Sequence, residues 1–409
     1  MTTQNASFAE LGVAPDLIEI LARDGITSPF PIQTMAIPDA VKGLDVCGKA
    51  QTGSGKTLAF GLPMVERLAV SKPKRPMAMI LVPTRELCMQ ISEALEPLVK
   101  ARGFGLISVY GGSSMPKQVE AFRRGVEVVV ATPGRLIDLC DRKAVSLADV
   151  EIVVIDEADQ MADMGFLPQV HHLMRQIEAD HQTMLFSATL DGQVGALVRS
   201  YMDDPVFYEV ESETVTVETS EHRFLAVHHM DKPSIVARIA ESAGRTLVFT
   251  RTKRGCDRAS DQLRDLGVSA RPIHGDLPQH QRERTLGEFV SGKLSVLVAT
   301  NVAARGLHID SVDVVIHYDP PEDYKTYLHR SGRTARAGDS GLVVTLVEWD
   351  QHMAMRRIQK QAGLDLPLVK MFSTDDRLND LTNWEQEAAP EPKKLPGRRS
   401  RVRRRNRLL

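Results

Sequence analysis

Short apolar runs recur along the chain, separated by longer stretches in which apolar residues return every three or four positions. The runs Asp45–Lys49, Met77–Val82, Leu106–Tyr110, Glu127–Ala131, Glu151–Ile155 and Thr183–Phe186 read as buried strands. Between them, Leu58–Ala69 and Arg85–Ala101 carry the 3.6-residue period of amphipathic helices. A second series repeats the logic with Thr246–Thr250, Ser269–His274, Ser295–Ala299, Val312–Tyr318 and Leu342–Val347. Strand alternating with helix predicts an α/β chain: two tandem domains, each a parallel sheet wrapped by helices.

The divider is Tyr208–Thr219, where Glu209, Glu211, Glu213 and Glu218 stand among Val and Thr without an apolar period. The pattern fades again after Met371. The expected organisation is a first domain over 1–208, a linker over 209–219, a second domain over 220–372 and a tail over 373–409. Ala388–Leu409 is rich in Pro, Glu and Arg, a composition that predicts disorder.

Composition changes this picture in one respect. Hydrophobic residues make up 43% and charged residues 25%, which is ordinary for a globular chain. No apolar run approaches the ~18 residues that read as a membrane span, and Met1–Glu10 lacks the features of a secretory signal. Cys47, Cys88, Cys140 and Cys256 are too widely spaced for a metal or redox motif, so reduced thiols in a cytosol are expected. The net charge of -2, however, conceals an asymmetry. From Pro392 onward there are nine basic residues (Lys393, Lys394, Arg398, Arg399, Arg401, Arg403, Arg404, Arg405, Arg407) and no acidic one. The other 391 residues carry 42 basic and 53 acidic side chains. An acidic body with a basic end fits either a tail that binds phosphates or a solvated tail without a role.

The chemistry-bearing residues fall just after predicted strands, where ligands sit in sheets of this kind. Ala50-Gln51-Thr52-Gly53-Ser54-Gly55-Lys56-Thr57 follows the first strand and opens a helix. It is a phosphate loop of the form A-x-x-x-x-G-K-T, with Ala50 in place of the usual first Gly. Its N–H groups and the helix start suit phosphate oxygens, Lys56 suits the β- and γ-phosphates, and Thr57 suits Mg²⁺. About a hundred residues later, Val153-Val154-Ile155 runs into Asp156-Glu157-Ala158-Asp159. A strand ending in two carboxylates predicts Mg²⁺ binding by Asp156 and activation of the attacking water by Glu157. Either box alone could be a glycine-rich turn or a solvated strand end; together they predict nucleotide hydrolysis.

With what surrounds them, these boxes resemble the DEAD-box helicases of superfamily 2, bacterial type, over about Phe8 to Met371. The resemblance implies ATP with Mg²⁺, an RNA partner contacted through its backbone, and hydrolysis coupled to local unwinding or remodelling. An ATP-gated RNA clamp is the alternative. Gly25–Gln33 resembles the family's Q motif, implying that Gln33 recognises adenine and that Phe8, 17 residues upstream of Gly25, stacks on it; plain core packing is the alternative for Phe8. Pro83-Thr84-Arg85, Gly111-Gly112 and Thr132-Pro133-Gly134-Arg135 resemble the motifs that grip RNA in the first domain. Arg251, Gln279 with Arg282, and Thr300 resemble those of the second. Asp159, Ser187, Thr189 and His329 are implied to couple hydrolysis to RNA, and Arg333 and Arg336 to act as arginine fingers on the γ-phosphate. Ribosome or RNA-decay partners and a cytoplasmic location also follow from the resemblance. Four positions depart from the pattern. Asn301 and His308 stand where many relatives carry Asp, Ala335 replaces a common Gly and Cys88 a common Ala. His308 could accept from the ATP ribose only as a neutral tautomer, whereas Cys88 reads as packing.

Overall fold

A computed structural model describes residues 6–50, 53–210, 220–304, 312–334 and 341–382. The expected linker beyond Val210, His308, Ala335, Arg336 and the basic tail lie outside the described residues, as do Gln51 and Thr52. The chain forms two compact units, each built on a seven-stranded sheet.

The first sheet holds β1 (Val46–Lys49), β2 (Ala78–Leu81), β3 (Leu106–Val109), β4 (Val128–Ala131), β5 (Ile152–Asp156), β6 (Gln182–Ser187) and β7 (Val206–Glu209). Their order is β3-β4-β2-β5-β6-β1-β7, and neighbours run parallel. Every residue of β2, β4, β5 and β6 is buried, as expected for a sheet covered on both faces. The two-residue period then sorts side chains by face. Ile80, Val128, Val130, Val154 and Phe186 join one core, while Met79, Leu81, Val129, Val153 and Leu185 join the other.

The second sheet holds β8 (Ser220–Ala226), β9 (Thr246–Thr250), β10 (Ala270–Ile273), β11 (Val296–Thr300), β12 (Val314–His317), β13 (Gly341–Val347) and β14 (Leu368–Lys370). The order is β10-β11-β9-β12-β13-β8-β14. β9, β12, β13, β8 and β14 are parallel along the sheet. The fold class is therefore that of two tandem RecA-like sheets.

Three strands were not legible in the apolar pattern. β7 alternates half-buried and exposed residues because it is an edge strand. It reaches into the start of the divider, where Tyr208 and Glu209 are paired with Gly48 and Lys49 as an extended piece. β8 breaks its apolar run with His222 and Arg223, and β14 is short and polar-tipped.

A repeated local design links the sheets to their helices. After β2, Thr84 caps the helix Arg85–Ala101 by accepting from the Leu87 N–H at 3.3 Å. After β9, Thr252 does the same for Lys253–Asp265 through the Gly255 N–H at 3.0 Å. One turn on, Cys88 donates its S–H to the Val130 carbonyl and Cys256 to the Val298 carbonyl. Cys88 is thus a buried packing residue, and burial pushes its thiol up to about 12.

Candidate functional site

β1 leads into the phosphate loop at Ala50, whose N–H donates to the Ser187 carbonyl at 3.0 Å. Gly53 and Gly55 both adopt φ +88°, a left-handed backbone that side chains rarely take. The helix Lys56–Arg67 starts directly from Gly55. Gly55 is also closely approached, because a Cβ there would stand 2.5 Å from Gln33 Nε2.

That approach reflects a hydrogen bond. Gln33 donates from Nε2 to the Gly55 carbonyl at 2.9 Å and accepts at Oε1 from the Phe30 N–H at 2.8 Å. The side chain is buried and its amide is locked, which joins the segment Gly25–Gln33 to the phosphate loop. One N–H of the amide and a second lone pair on Oε1 are left by these two bonds. Phe8, expected to stack on adenine, is instead packed in the hydrophobic core with Leu11, Leu17 and Ile37. It is 2% exposed.

β5 carries the acids. Asp156 is its last residue and Glu157 follows at φ +53°, ψ +48°, a left-handed conformation uncommon outside glycine and asparagine. The sharp turn starts the helix Ala158–Asp163 and brings both carboxylates to Lys56. Lys56 Nζ lies 2.7 Å from Glu157 Oε1 and 3.7 Å from Asp156 Oδ1, and all three side chains are buried. Burial alone would lower the Lys56 pKa, but the charges of Glu157 and Asp156 outweigh it and push it up. Burial raises the Asp156 carboxyl, and Lys56 partly offsets this. Two carboxylates against one ammonium leave a net negative charge, which a divalent cation would offset. Asp156 and the half-buried Thr57 supply the oxygen donors that Mg²⁺ takes.

Ser187 ends β6 and ties these parts together. Its hydroxyl donates to the Thr189 carbonyl at 2.7 Å and accepts from the N–H groups of Asp159 at 3.2 Å and Thr189 at 3.4 Å. One donor and two acceptors exhaust a hydroxyl. The contact to the acidic box is through the Asp159 backbone.

A second group of residues gathers at the carboxyl ends of β2, β3 and β4. The Arg85 guanidinium lies against Gly111 and Gly112; a Cβ on Gly112 would come within 2.8 Å of Arg85 Nη1. Thr132 precedes the helix Pro133–Asp141, with Pro133 at its first turn. Arg135 Nη1 donates to the Ser113 carbonyl at 3.3 Å and to Gln118 Oε1 at 3.1 Å. Pro83 and Thr84 are buried, whereas Gly112 and Gly134 are exposed.

On the elements of the second sheet and its helices, Arg251 is exposed at the end of β9, and its N–H donates to Asp319 Oδ2 at 2.8 Å. Arg330 donates from Nη1 to the Asp319 carbonyl at 2.8 Å and lies over the Phe249 ring. Lys232, 2% exposed, reaches the Tyr318 carbonyl at 2.8 Å and Glu348 at 2.6 Å. Gln279 opens the helix Gln279–Val290, on which Arg282 is buried, and Thr300 ends β11. His329 is exposed on the helix Tyr324–Ser331, and Arg333, just beyond it, is buried. Gln118, Lys232 and Asp319 were not singled out from the sequence. Asp319 shares one signal with Asp156, an acid at the carboxyl end of a buried strand; Gln118 and Lys232 carry none.

Residues 30–197 match the DEAD/DEAH box helicase family, and residues 231–338 match the helicase conserved C-terminal domain. The DEAD-box ATP-dependent RNA helicase CshA of Geobacillus kaustophilus is 37% identical over 374 residues, 91% of this chain and 80% of that protein. DEAD-box ATP-dependent RNA helicase 53 of rice is 39% identical over 92% of this chain, which spans only 63% of the rice protein. Among solved structures, S. cerevisiae Dbp5 bound to RNA and ADP BeF3 superposes with a TM-score of 0.79 at 29% identity, covering 92% of this chain and 98% of that one.

Proposed function

The chain belongs to the DEAD-box helicase family, and from that premise we propose that it is an ATP-dependent RNA helicase whose ATP hydrolysis, stimulated by RNA, drives local duplex unwinding or ribonucleoprotein remodelling. The observation that carries this reading is the buried triad of Lys56, Asp156 and Glu157 at the carboxyl end of a parallel sheet. Lys56 binds the β- and γ-phosphates, moving from Glu157 to do so. Gln33, held against Gly55, presents its remaining amide N–H and lone pair to the adenine edge. Thr57 and Asp156 hold Mg²⁺, which when bound neutralises charge on the transferring phosphoryl group. Glu157, released from Lys56, orients the attacking water and takes its proton. Arg333 and Arg336 act as the arginine fingers, a role that contributes about 10³–10⁵ in rate in related phosphoryl transfers.

Arg85, Gly111, Gly112, Thr132, Gly134 and Arg135 in the first domain, and Arg251, Gln279, Arg282 and Thr300 in the second, contact sugar and phosphate. Specificity for base sequence is accordingly low, and the 2′-hydroxyl separates RNA from DNA. Asp159, Ser187, Thr189 and His329 couple the two activities. In this reading the first domain ends at Glu209, and the basic residues from Lys393 to Arg407 add salt-sensitive affinity for RNA. Among the described residues no helix is long and apolar enough to cross a membrane, and a cytoplasmic location fits the reading.

The test is ATPase activity with and without RNA, with single-stranded DNA as competitor. Strong stimulation by RNA and weak competition by DNA support the assignment. Activity indifferent to RNA overturns it. Strand displacement then separates unwinding from clamping.

A further inference from the structure

The helix Met115–Arg124 buries two of its residues, Gln118 and Phe122, one turn apart. Phe122 is an ordinary core residue, whereas Gln118 is 3% exposed and polar. A buried carboxamide costs free energy unless its donors and acceptors are matched. Here they are matched. Nε2 donates to the Ser113 hydroxyl at 2.7 Å and to the Ser108 carbonyl at 3.3 Å, which uses both of its N–H groups. The orientation of the amide is thereby set, and Oε1 is the atom turned to Arg135 Nη1 at 3.1 Å.

Arg135 Nη1 has two N–H groups. One goes to Gln118 and the other to the Ser113 carbonyl. The Nε–H and both Nη2–H groups have no protein acceptor among the described residues. Nε with Nη2 is one of the two-donor edges with which a guanidinium grips a phosphate through two parallel bonds. Fixing Nη1 on one side therefore presents the Nε/Nη2 edge as a preformed phosphate fork. Ser113, the other member of the clamp, follows Gly111-Gly112 directly and is itself tied back to the Tyr110 carbonyl at 2.7 Å. One amide thus joins the glycine turn, the end of β3 and the arginine.

We infer that Gln118 is a positioning residue for RNA: it turns Arg135 so that the Nε/Nη2 edge takes one backbone phosphate. The inference rests on the proposed assignment of Arg135 as an RNA contact. Gln118 itself touches no ligand. Its contribution is the side-chain entropy that Arg135 need not lose on binding and the choice of edge it presents.

The experiment uses the full chain and a single-stranded RNA homopolymer. The RNA concentration giving half-maximal ATPase stimulation is measured for Gln118→Met, Gln118→Glu, Arg135→Ala and the Gln118→Met/Arg135→Ala double variant, alongside melting temperature and the KM for ATP. Gln118→Met keeps length and helix propensity but removes the acceptor. It should raise the half-maximal RNA concentration about three- to tenfold with the KM for ATP within twofold. Gln118→Glu retains an acceptor oxygen for Arg135 and should restore most of that loss. In the Arg135→Ala background Gln118→Met should add little, because the group it positions is gone. Additive effects, or an Arg135→Ala defect that Gln118→Met does not share, overturn the inference. An Arg135→Ala variant with normal RNA response overturns instead the assignment of Arg135 itself. If Gln118→Met does not fold, Gln118→Asn carries the same cycle, its carboxamide being one methylene too short to reach Arg135.

Discussion

Lys56 and Glu157 form a buried ion pair of 2.7 Å between the first residue of one helix and the residue that turns β5 into another. In the proposed mechanism this pair occupies the groups that bind phosphate and activate water, so turnover requires that it open and that each partner find a new one. Glu157 is held at φ +53° with its N–H bonded to Asp156 Oδ1 at 2.9 Å, so the carboxylate swings from a fixed backbone. Glu157→Gln removes the base without removing the fold of the turn. ATP binding, measured by equilibrium titration, should persist or tighten, while steady-state hydrolysis falls by about 10²–10⁴. Turnover near that of the unaltered protein would exclude the role given to Glu157.

Ser187 offers a second test, because its single hydroxyl satisfies three backbone groups across Asp159 and Thr189. Ser187→Ala leaves the half-buried Asp159 N–H without that acceptor, a loss of about 1 kcal/mol. If the link transmits the state of the acidic box, RNA strand displacement should fall at least tenfold more than RNA-stimulated ATPase. Equal loss of both activities would reduce Ser187 to a purely structural residue.

The core position of Phe8 makes an opposite forecast. Phe8→Leu substitutes a smaller apolar side chain among Leu11, Leu17 and Ile37 and should cost roughly 1 kcal/mol or somewhat more, read as a lowered denaturation midpoint. The KM for ATP should stay within about twofold. A selective rise in that KM with stability intact would restore the stacking role.

What could be read from the chain and what could not divides along physical lines. Runs such as Ile152–Ile155 are buried on both faces, so their hydrophobicity needs no partner to be recognised. The phosphate loop and Asp156–Asp159 are local in sequence, and their chemistry follows from residue type and spacing. Strand β8 was missed because His222 and Arg223 find their partners far away in the chain: His222 with Tyr327, Arg223 with the Leu381 carbonyl. Gln118 escaped for the same reason, since a glutamine on an amphipathic helix reads as surface until Ser108, Ser113 and Arg135 surround it. Phe8 is the reverse case: the resemblance implies a stacking role, whereas the side chain lies in the hydrophobic core, the alternative its residue type also allowed.

The buried imidazole of His317 links the stability of the second unit to pH. It accepts or donates at Nδ1 with Thr345 Oγ1 at 3.0 Å and packs edge-on against Tyr327. Burial, then the nearby charges of Arg330 and His222, lowers its pKa well below 6.5. The unfolded chain therefore binds a proton near pH 6.5 that the folded chain refuses. Stability is complete above that pH and declines as pH falls toward the folded pKa, by up to about 1.4 kcal/mol per pH unit. Denaturant midpoints at pH 7.5 and 5.5 should differ in that sense, and His317→Gln should narrow the difference. A difference unchanged by the substitution would assign the acid sensitivity to other groups.

The basic end of the chain makes the last forecast. Nine cations and no anion lie between Pro392 and Leu409, against 42 basic and 53 acidic residues elsewhere. The remainder is thus net acidic, and in the proposed reading its RNA affinity comes from a few placed contacts such as Arg85, Arg135 and Arg251, with the tail adding affinity by releasing counterions. Each phosphate neutralised on a single strand adds about 0.7 to the slope of log affinity against log salt. Removing residues 392–409 should weaken RNA binding most at low salt and flatten that slope by about two or more, with the KM for ATP unaltered. Affinities of the full and shortened chains should then converge as salt is raised. Parallel slopes, whatever the difference in affinity, would show that the tail does not neutralise phosphates.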